Sequence, residues 1–185
     1  MTKTNEIVLQ KTPVFDLVEK TFEGVNFKPV GLNTKDWVMV IVMDYENRAL
    51  FVKQTRWGLE GETTEFICGM VENGEDPMKA ALRELQEETG LEASVATKIA
   101  EFNPNPAYFN NKMHVYFVRV INLPETYKKK AGNQNLDADE DCKPFIAELT
   151  EDFVMNTLSV HGLSLSALSV LMLKGEWRFR KNETE

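Results

Sequence analysis

Four glutamates, Glu75, Glu84, Glu87 and Glu88, surround a single arginine, Arg83, in the stretch GMVENGEDPMKAALRELQEETGL from Gly69 to Leu91. Helical geometry at 100° per residue puts Glu84, Glu87 and Glu88 within an arc of about 100°. That arc lies largely away from the apolar stripe of Met78, Ala81 and Leu85. Glu84 and Glu88 form a like-charged i,i+4 pair, which by itself destabilises a helix. All three carboxylates also sit toward the C-terminal half, the unfavourable end of the helix dipole. Two local rules broken on one surface point to function. A hard divalent cation resolves the conflict, because Mg²⁺ takes oxygen ligands and is commonly shared by a few carboxylates, waters and substrate phosphates. The alternative is a solvated acidic face partly balanced by Arg83 and Lys79.

Something must hold that helix in place. Asp76 suits its N-cap, Pro77 its first position and Gly90 its end. Strands are expected on either side. WVMVIVM (37–43) is apolar and β-branched and reads as a buried strand. ALFVKQTRW (49–57) reads as its antiparallel partner, and TTEFICG (63–69) as a third strand. SVATKIAEF (94–102), MHVYFVRV (113–120) and PFIAEL (144–149) read as further strands. VFDLVEKTFEGVNFKPVGL (14–32) reads as two short ones. TEDFVMNTL (150–158) and LSALSVLML (163–173) read as helices. The order implies an α/β (α+β) fold, a mixed sheet between helical layers.

Gly69, Glu75, Arg83-Glu84-Leu85, Glu87-Glu88 and Gly90-Leu91 together match every fixed position of the Nudix box, nine residues across 23. The chain therefore resembles the Nudix hydrolases over roughly residues 36–175. The resemblance implies an α/β/α sandwich with a loop–helix–loop catalytic motif. It implies hydrolysis of a nucleoside diphosphate linked to another moiety, with Mg²⁺ or Mn²⁺ as cofactor. By position it implies that Glu84 and Glu88 are metal ligands and that Glu87 is a third or water-mediated one. Arg83 would orient the glutamates, Glu75 would support the loop, and Gly69 would let the backbone turn tightly. Cys68 would lend its backbone carbonyl to the metal, without its thiol.

The segment VKQTRWGLEGETTEFICG is similar to the one preceding the box in ADP-ribose and nucleotide-sugar pyrophosphatases. In that subgroup Arg56 and Glu65 would line the substrate site. An arginine fork suits a diphosphate; the alternative for Arg56 is an exposed edge-strand charge. Pro106, in FNPNPAYFNNKMHVYF, lies fifteen residues after Leu91, a spacing associated with the same subgroup. Its alternative is a structural turn, and the loop departs from the subgroup's commoner form. The resemblance also implies an acidic loop late in the chain that supplies the base. LDADED (136–141) fits, with Glu140 aligned best and Asp139 and Asp137 as alternatives. His114 is expected to be structural and His161 to lie on the surface. Trp37, Trp57 and Tyr108 are candidates to stack on a base, or else core or interface residues.

The bulk numbers bound these readings. With 185 residues, 43% apolar and 27% charged, the chain is long enough to bury a core without disulfides or a structural metal. A net charge of −8 argues against a nucleic-acid partner. Cys68 and Cys142 have no metal-ligand spacing and read as free thiols. No apolar run approaches the roughly 20 residues a membrane span needs. These features imply a cytoplasmic protein with no membrane partner, while the small-molecule partner, a nucleoside diphosphate derivative, is what the resemblance implies. The expected division is an N-terminal strand region, 1–35, and a Nudix domain, 36–185. Subgroup members are usually homodimers, and the N-terminal strands would serve that contact. Substrates to compare with ADP-ribose are nucleoside triphosphates, dinucleotide polyphosphates and coenzyme A. A non-catalytic nucleotide-sugar sensor is the contrasting reading.

Overall fold

The computed structural model describes residues 1–129, 132–136 and 141–179. In chain order its elements are β1 (Lys3–Lys11), β2 (Phe15–Phe22), β3 (Val30–Thr34), β4 (Trp37–Met43), β5 (Arg48–Arg56), β6 (Gly61–Glu65) and β7 (Ile67–Met70). There follow α1 (Pro77–Thr89), β8 (Thr97–Phe102), β9 (Met113–Arg119), α2 (Leu123–Lys128), β10 (Lys143–Glu148), α3 (Glu151–Asn156) and α4 (Gly162–Leu173). A short 3₁₀ turn, Leu158–Val160, joins the last two helices.

β4 organises the molecule. Its run of apolar residues lacks the polar alternation of a strand with one wet face, so it needs apolar cover on both sides. Val38, Val40 and Val42 pack with Leu50, Val52 and Ile67 under Ala80, Ala81 and Leu85 of α1. Met39, Ile41 and Met43 pack with Phe51 and Phe66 under Ala167, Leu168 and Leu171 of α4. The sheet is thus sandwiched between helical layers, as the sequence order implies. It is mixed: β10, β5, β4, β9 and β8 lie side by side, with β6 on β5 and β7 on β4. β4 and β9 run parallel, and the other pairs are antiparallel.

The sheet forks at one end. β4 pairs β5 only at Val42 and Met43. From Trp37 to Val40 that edge of β4 belongs to β7, while β5 runs on beside β6 as far as Arg56. The stretch 63–69 is therefore two strands rather than one. The break falls at Phe66, whose N–H donates to Ser164 Oγ of α4 at 3.1 Å instead of joining a ladder.

β1, β2 and β3 form a separate antiparallel sheet. β1 lies in a polar stretch for which the sequence predicts no strand. The loop between β8 and β9 stitches this sheet to the rest. Leu32 N–H donates to the Tyr108 carbonyl at 2.7 Å, and Thr34 N–H to Asn110 Oδ1 at 3.0 Å. α2 is likewise unanticipated, although Asn122 caps it through its side chain and Pro124 sits in its first turn. Among the described residues no helix is long and apolar enough to cross a membrane.

Candidate active site

α1 begins and ends as its sequence dictates. The Asp76 carboxylate accepts from the N–H groups of Met78 and Lys79, Pro77 opens the helix, and Gly90 closes it at φ 73°. Glu84 and Glu88 are 7% and 2% exposed, so they do not belong to a solvated acidic face. Ala80, Ala81 and Leu85 seat the helix on the sheet, and the fork of that sheet places β7 beside these two carboxylates.

Arg83 answers the repulsion among the glutamates. Its Nε donates to Glu75 Oε1 at 3.0 Å, and its Nη1 to Glu84 Oε1 at 2.9 Å and Glu87 Oε2 at 2.8 Å. Its Nη2 donates to the Met70 carbonyl at 2.9 Å and to Glu75 Oε2 at 3.1 Å. Five N–H groups meet five acceptors, so the guanidinium is fully spent on the protein. Glu75 Oε2 also accepts from Glu72 N–H at 2.9 Å. The Arg83 hydrogen bonds hold the Glu75 carboxyl below the usual carboxylate range against the opposing effect of burial. Arg83 thus ties Glu75, Glu84 and Glu87 together in one hydrogen-bonded cluster.

Gly69 has a different reason from the expected one. It lies within β7, outside the set of left-handed glycines, so no tight turn requires it. A Cβ there would overlap the carbon and both oxygens of the Glu84 carboxyl. Glycine at 69 clears the space that Glu84 occupies.

Arg56 and Glu65 form a second constellation. The Arg56 fork grips Glu65 through Nε–Oε1 at 2.7 Å and Nη2–Oε2 at 2.6 Å. The Thr63 hydroxyl donates to Glu65 Oε1, and His161 Nε2 lies 3.3 Å from Oε2. Ser164 Oγ bonds His161 Nδ1 at 2.7 Å. Burial of Glu65 would raise its pKa, but the Arg56 hydrogen bonds and the charges of His161 and Arg56 hold it below the usual range. Burial lowers the His161 pKa, with Arg56 adding and Glu65 opposing. His161 is therefore no surface histidine. Its side chain is 16% exposed, and it reaches the site from the start of α4. Ser164 is a local partner, but the charge that His161 meets, Glu65, comes from distant β6 and leaves no mark in the neighbouring sequence.

A cavity of about 410 Å³ opens at the fork of the sheet. Glu84, Glu87, Glu88 and Arg83 line it from α1, Cys68 and Gly69 from β7, and Arg56 from β5. Trp37, Gln54 and His161 complete much of the wall. Gln54 could have been found from strand alternation, two residues before Arg56. Glu65 stands behind the wall through Arg56. Pro106 is exposed in the loop before β9 and does not line the cavity. Trp57 and Tyr108 are exposed and also lie outside it, while Trp37 packs against Phe109 with ring centroids 5.6 Å apart. His114 is buried in β9, its Nε2 2.9 Å from Asp36 Oδ2. Glu140, Asp139 and Asp137 lie outside the described residues. Their described neighbours are tied to the site's walls: Gln134 Nε2 donates to the Glu88 carbonyl, Asn135 N–H to the Glu87 carbonyl, and the Asp141 carboxylate accepts from Thr55.

The donor set fits a hard cation. It is carboxylate oxygen, with the space for Glu84 cleared at Gly69. Burial pushes the Cys68 thiol well up, which keeps it protonated and a poor ligand. Among the described residues no three His, Cys, Asp or Glu side chains form a ready-made cage. A dedicated protein cage is not what Mg²⁺ requires, since it retains waters and takes substrate oxygens.

Residues 34–149, more than half of the chain, match the NUDIX domain. The chain belongs to that family. An ADP-ribose pyrophosphatase of Bacillus subtilis (strain 168) is 36% identical over 103 residues, covering 56% of this chain and 52% of that protein. An ADP-sugar pyrophosphatase of Mus musculus is 39% identical over 120 residues, covering 62% and 55%. The chain thus spans about half the length of these curated relatives. The crystal structure of an ADP compounds hydrolase superposes with a TM-score of 0.67 over 96% of each chain at 21% identity, a likeness of fold.

Proposed function

We propose that this chain is a divalent-metal-dependent pyrophosphatase that hydrolyses ADP-ribose or a related nucleotide sugar to AMP, or another nucleoside monophosphate, and a sugar phosphate. The observation that carries the reading is one cavity that joins buried carboxylates to an arginine whose fork is only partly spent. Arg56 commits Nε and Nη2 to Glu65, which leaves Nη1 for a ligand, whereas Arg83 keeps nothing back. The names of the relatives agree with this substrate class.

Glu84 and Glu88 would hold Mg²⁺ or Mn²⁺, with Glu87 and the Cys68 carbonyl as further ligands. The bound ion would neutralise phosphate charge and acidify a coordinated water. Arg83 and Glu75 keep the carboxylates in place before substrate arrives, so little reorganisation is needed at reaction. Glu65 fixes the Arg56 fork, which would bind the diphosphate. Water attacks one phosphorus, the bridging P–O bond breaks, and the proton passes to a carboxylate. Glu140 is proposed for that last role, with Asp139 or Asp137 as substitutes. Pro106 would shape the substrate side of its loop. Residues 1–35 are proposed to form a homodimer contact, and the chain is proposed to act in the cytoplasm.

Turnover with Mg²⁺ against ADP-ribose, other nucleotide sugars, NADH, diadenosine polyphosphates and nucleoside triphosphates tests the reading. ADP-ribose should be preferred, with AMP as product. Glu84→Gln and Glu88→Gln should each lower kcat by orders of magnitude in a folded protein. Near wild-type turnover in either variant at saturating Mg²⁺ would refute the metal assignment. Preference for a different substrate would refute the ADP-ribose assignment alone.

A further inference from the structure

Gln54 is a polar side chain whose amide donor is left over among the described residues. It is 9% exposed, and its Nε2 is shielded from solvent and meets no acceptor among the described residues. An unpaired buried donor destabilises a fold, and an apolar side chain of the same size would not. The polar groups around it are committed elsewhere. Thr63, its partner across the β5–β6 ladder, gives its hydroxyl to Glu65. Both Glu65 oxygens are occupied by Arg56, with Thr63 and His161 added. Gln54 nonetheless lines the cavity, as Arg56 does. The two are separated by one residue on β5, so they project from the same face of the strand.

We infer that Gln54 is a substrate-binding residue that donates its Nε2–H to a phosphoryl oxygen of the diphosphate engaged by Arg56. The inference rests on the pyrophosphatase reading for the identity of the ligand. The chemistry follows from the donors left over. Arg56 Nη1 is cationic and Gln54 Nε2 is neutral, and both can only donate. The matching ligand is anionic and carries several acceptors, which describes adjacent phosphoryl groups. Gln54 thereby adds a directional contact that Arg56 cannot supply while two of its three nitrogens are held by Glu65.

The test compares wild type with Gln54→Met, which keeps the shape and removes the donor, and Gln54→Glu, which keeps the shape and replaces the donor with an acceptor. Hydrogen bonds to charged groups correspond to about a tenfold or greater effect on affinity. Gln54→Met should raise KM for ADP-ribose about tenfold, with kcat much less affected. The inhibition constants of ADP and of inorganic pyrophosphate should rise with it. Its melting temperature should be equal to or above that of wild type, a change opposite in sign to the loss of function. Gln54→Glu should bind all three more weakly than Gln54→Met. KM and inhibition constants within twofold of wild type in Gln54→Met would overturn the inference. So would a loss of activity with unchanged inhibition by ADP and pyrophosphate, since the contact would then lie off the diphosphate. If wild type does not turn over ADP-ribose, the substrate reading fails by itself. Calorimetric binding of pyrophosphate with Mg²⁺ to wild type and Gln54→Met would then decide the role of Gln54 by the same tenfold criterion.

Discussion

The carboxyl group of Glu84 lies in the space where a side chain on Gly69 would begin. The contact joins β7 to α1 and sets how close the carboxylate comes to the strand. Because Gly69 is outside the set of left-handed glycines, alanine fits the backbone and its effect is purely steric. Gly69→Ala should therefore drive Glu84 out of position without unfolding the domain. Displacing a metal-orienting contact costs about ten- to a hundredfold in activity or metal affinity. Mg²⁺ titration of initial rates should show that loss, and thermal melting should show a folded protein. Wild-type Mg²⁺ dependence in the variant would mean that Glu84 is not held by this contact.

Arg56 neutralises Glu65 and is proposed to bind ligand as well, two separable duties. Glu65 is fully buried, so removing its partner leaves a buried charge. The Arg56 side chain is 41% exposed, and water screens part of the pair. Arg56→Ala should raise KM for ADP-ribose and lower stability by about 2 kcal/mol. The double variant Arg56→Ala, Glu65→Gln should regain most of the stability and none of the affinity. Urea denaturation and steady-state kinetics on the same samples separate the two. A KM equal to wild type in either variant would remove Arg56 from the substrate site.

What the sequence shows and what it hides divide along local and tertiary lines. The caps of α1 are local, and Asp76, Pro77 and Gly90 mark them to the residue. The two-sided burial of β4 is written in its own apolar run. Helix periodicity also places the three glutamates on one arc. It cannot show that Glu84 and Glu88 are buried, because the burial comes from β7, which the sheet's fork brings alongside. The same limit applies to Gly69, whose necessity depends on a side chain fifteen residues away. His161 is misread as exposed for this reason too, since its partner Glu65 lies on distant β6. The polar pattern of β1 reflects an exposed strand in a small separate sheet, where no alternation is enforced by a core.

His161, half-buried beside Glu65, gives the stability a pH dependence with a defined sign. Its folded pKa is lowered from 6.5, chiefly by burial. The unfolded chain therefore binds a proton more readily than the folded one. This contribution is fully present above about pH 6.5 and is lost as pH falls through the lowered folded value. The depressed Glu65 carboxyl acts in the same direction, but only as pH falls from the ordinary glutamate range near pH 4.3 and through its folded value. Melting temperature should fall between pH 7 and pH 5.5 in wild type. His161→Gln should flatten that part of the profile and leave the steeper acid limb. A slope unchanged by the substitution would assign the titration to another group.

The N-terminal sheet carries apolar side chains that the single chain leaves in water. Ile7, Val8 and Leu9 of β1 are 46%, 44% and 51% exposed, at a β-bulge that falls between Val8 and Gln10. Only Val18 of this sheet's β2 is fully buried. A second copy packed along β1 is the proposed cover, in keeping with the homodimer contact proposed for residues 1–35. Sedimentation equilibrium should give twice the mass of one chain for wild type. Ile7→Lys combined with Leu9→Lys buries two charges in the proposed contact and should shift the protein to single chains at micromolar concentration. Circular dichroism should show the Nudix domain still folded, because its core lies on the other sheet. A wild-type protein that sediments as one chain would end the proposal. A double variant that remains dimeric would move the contact to a different surface.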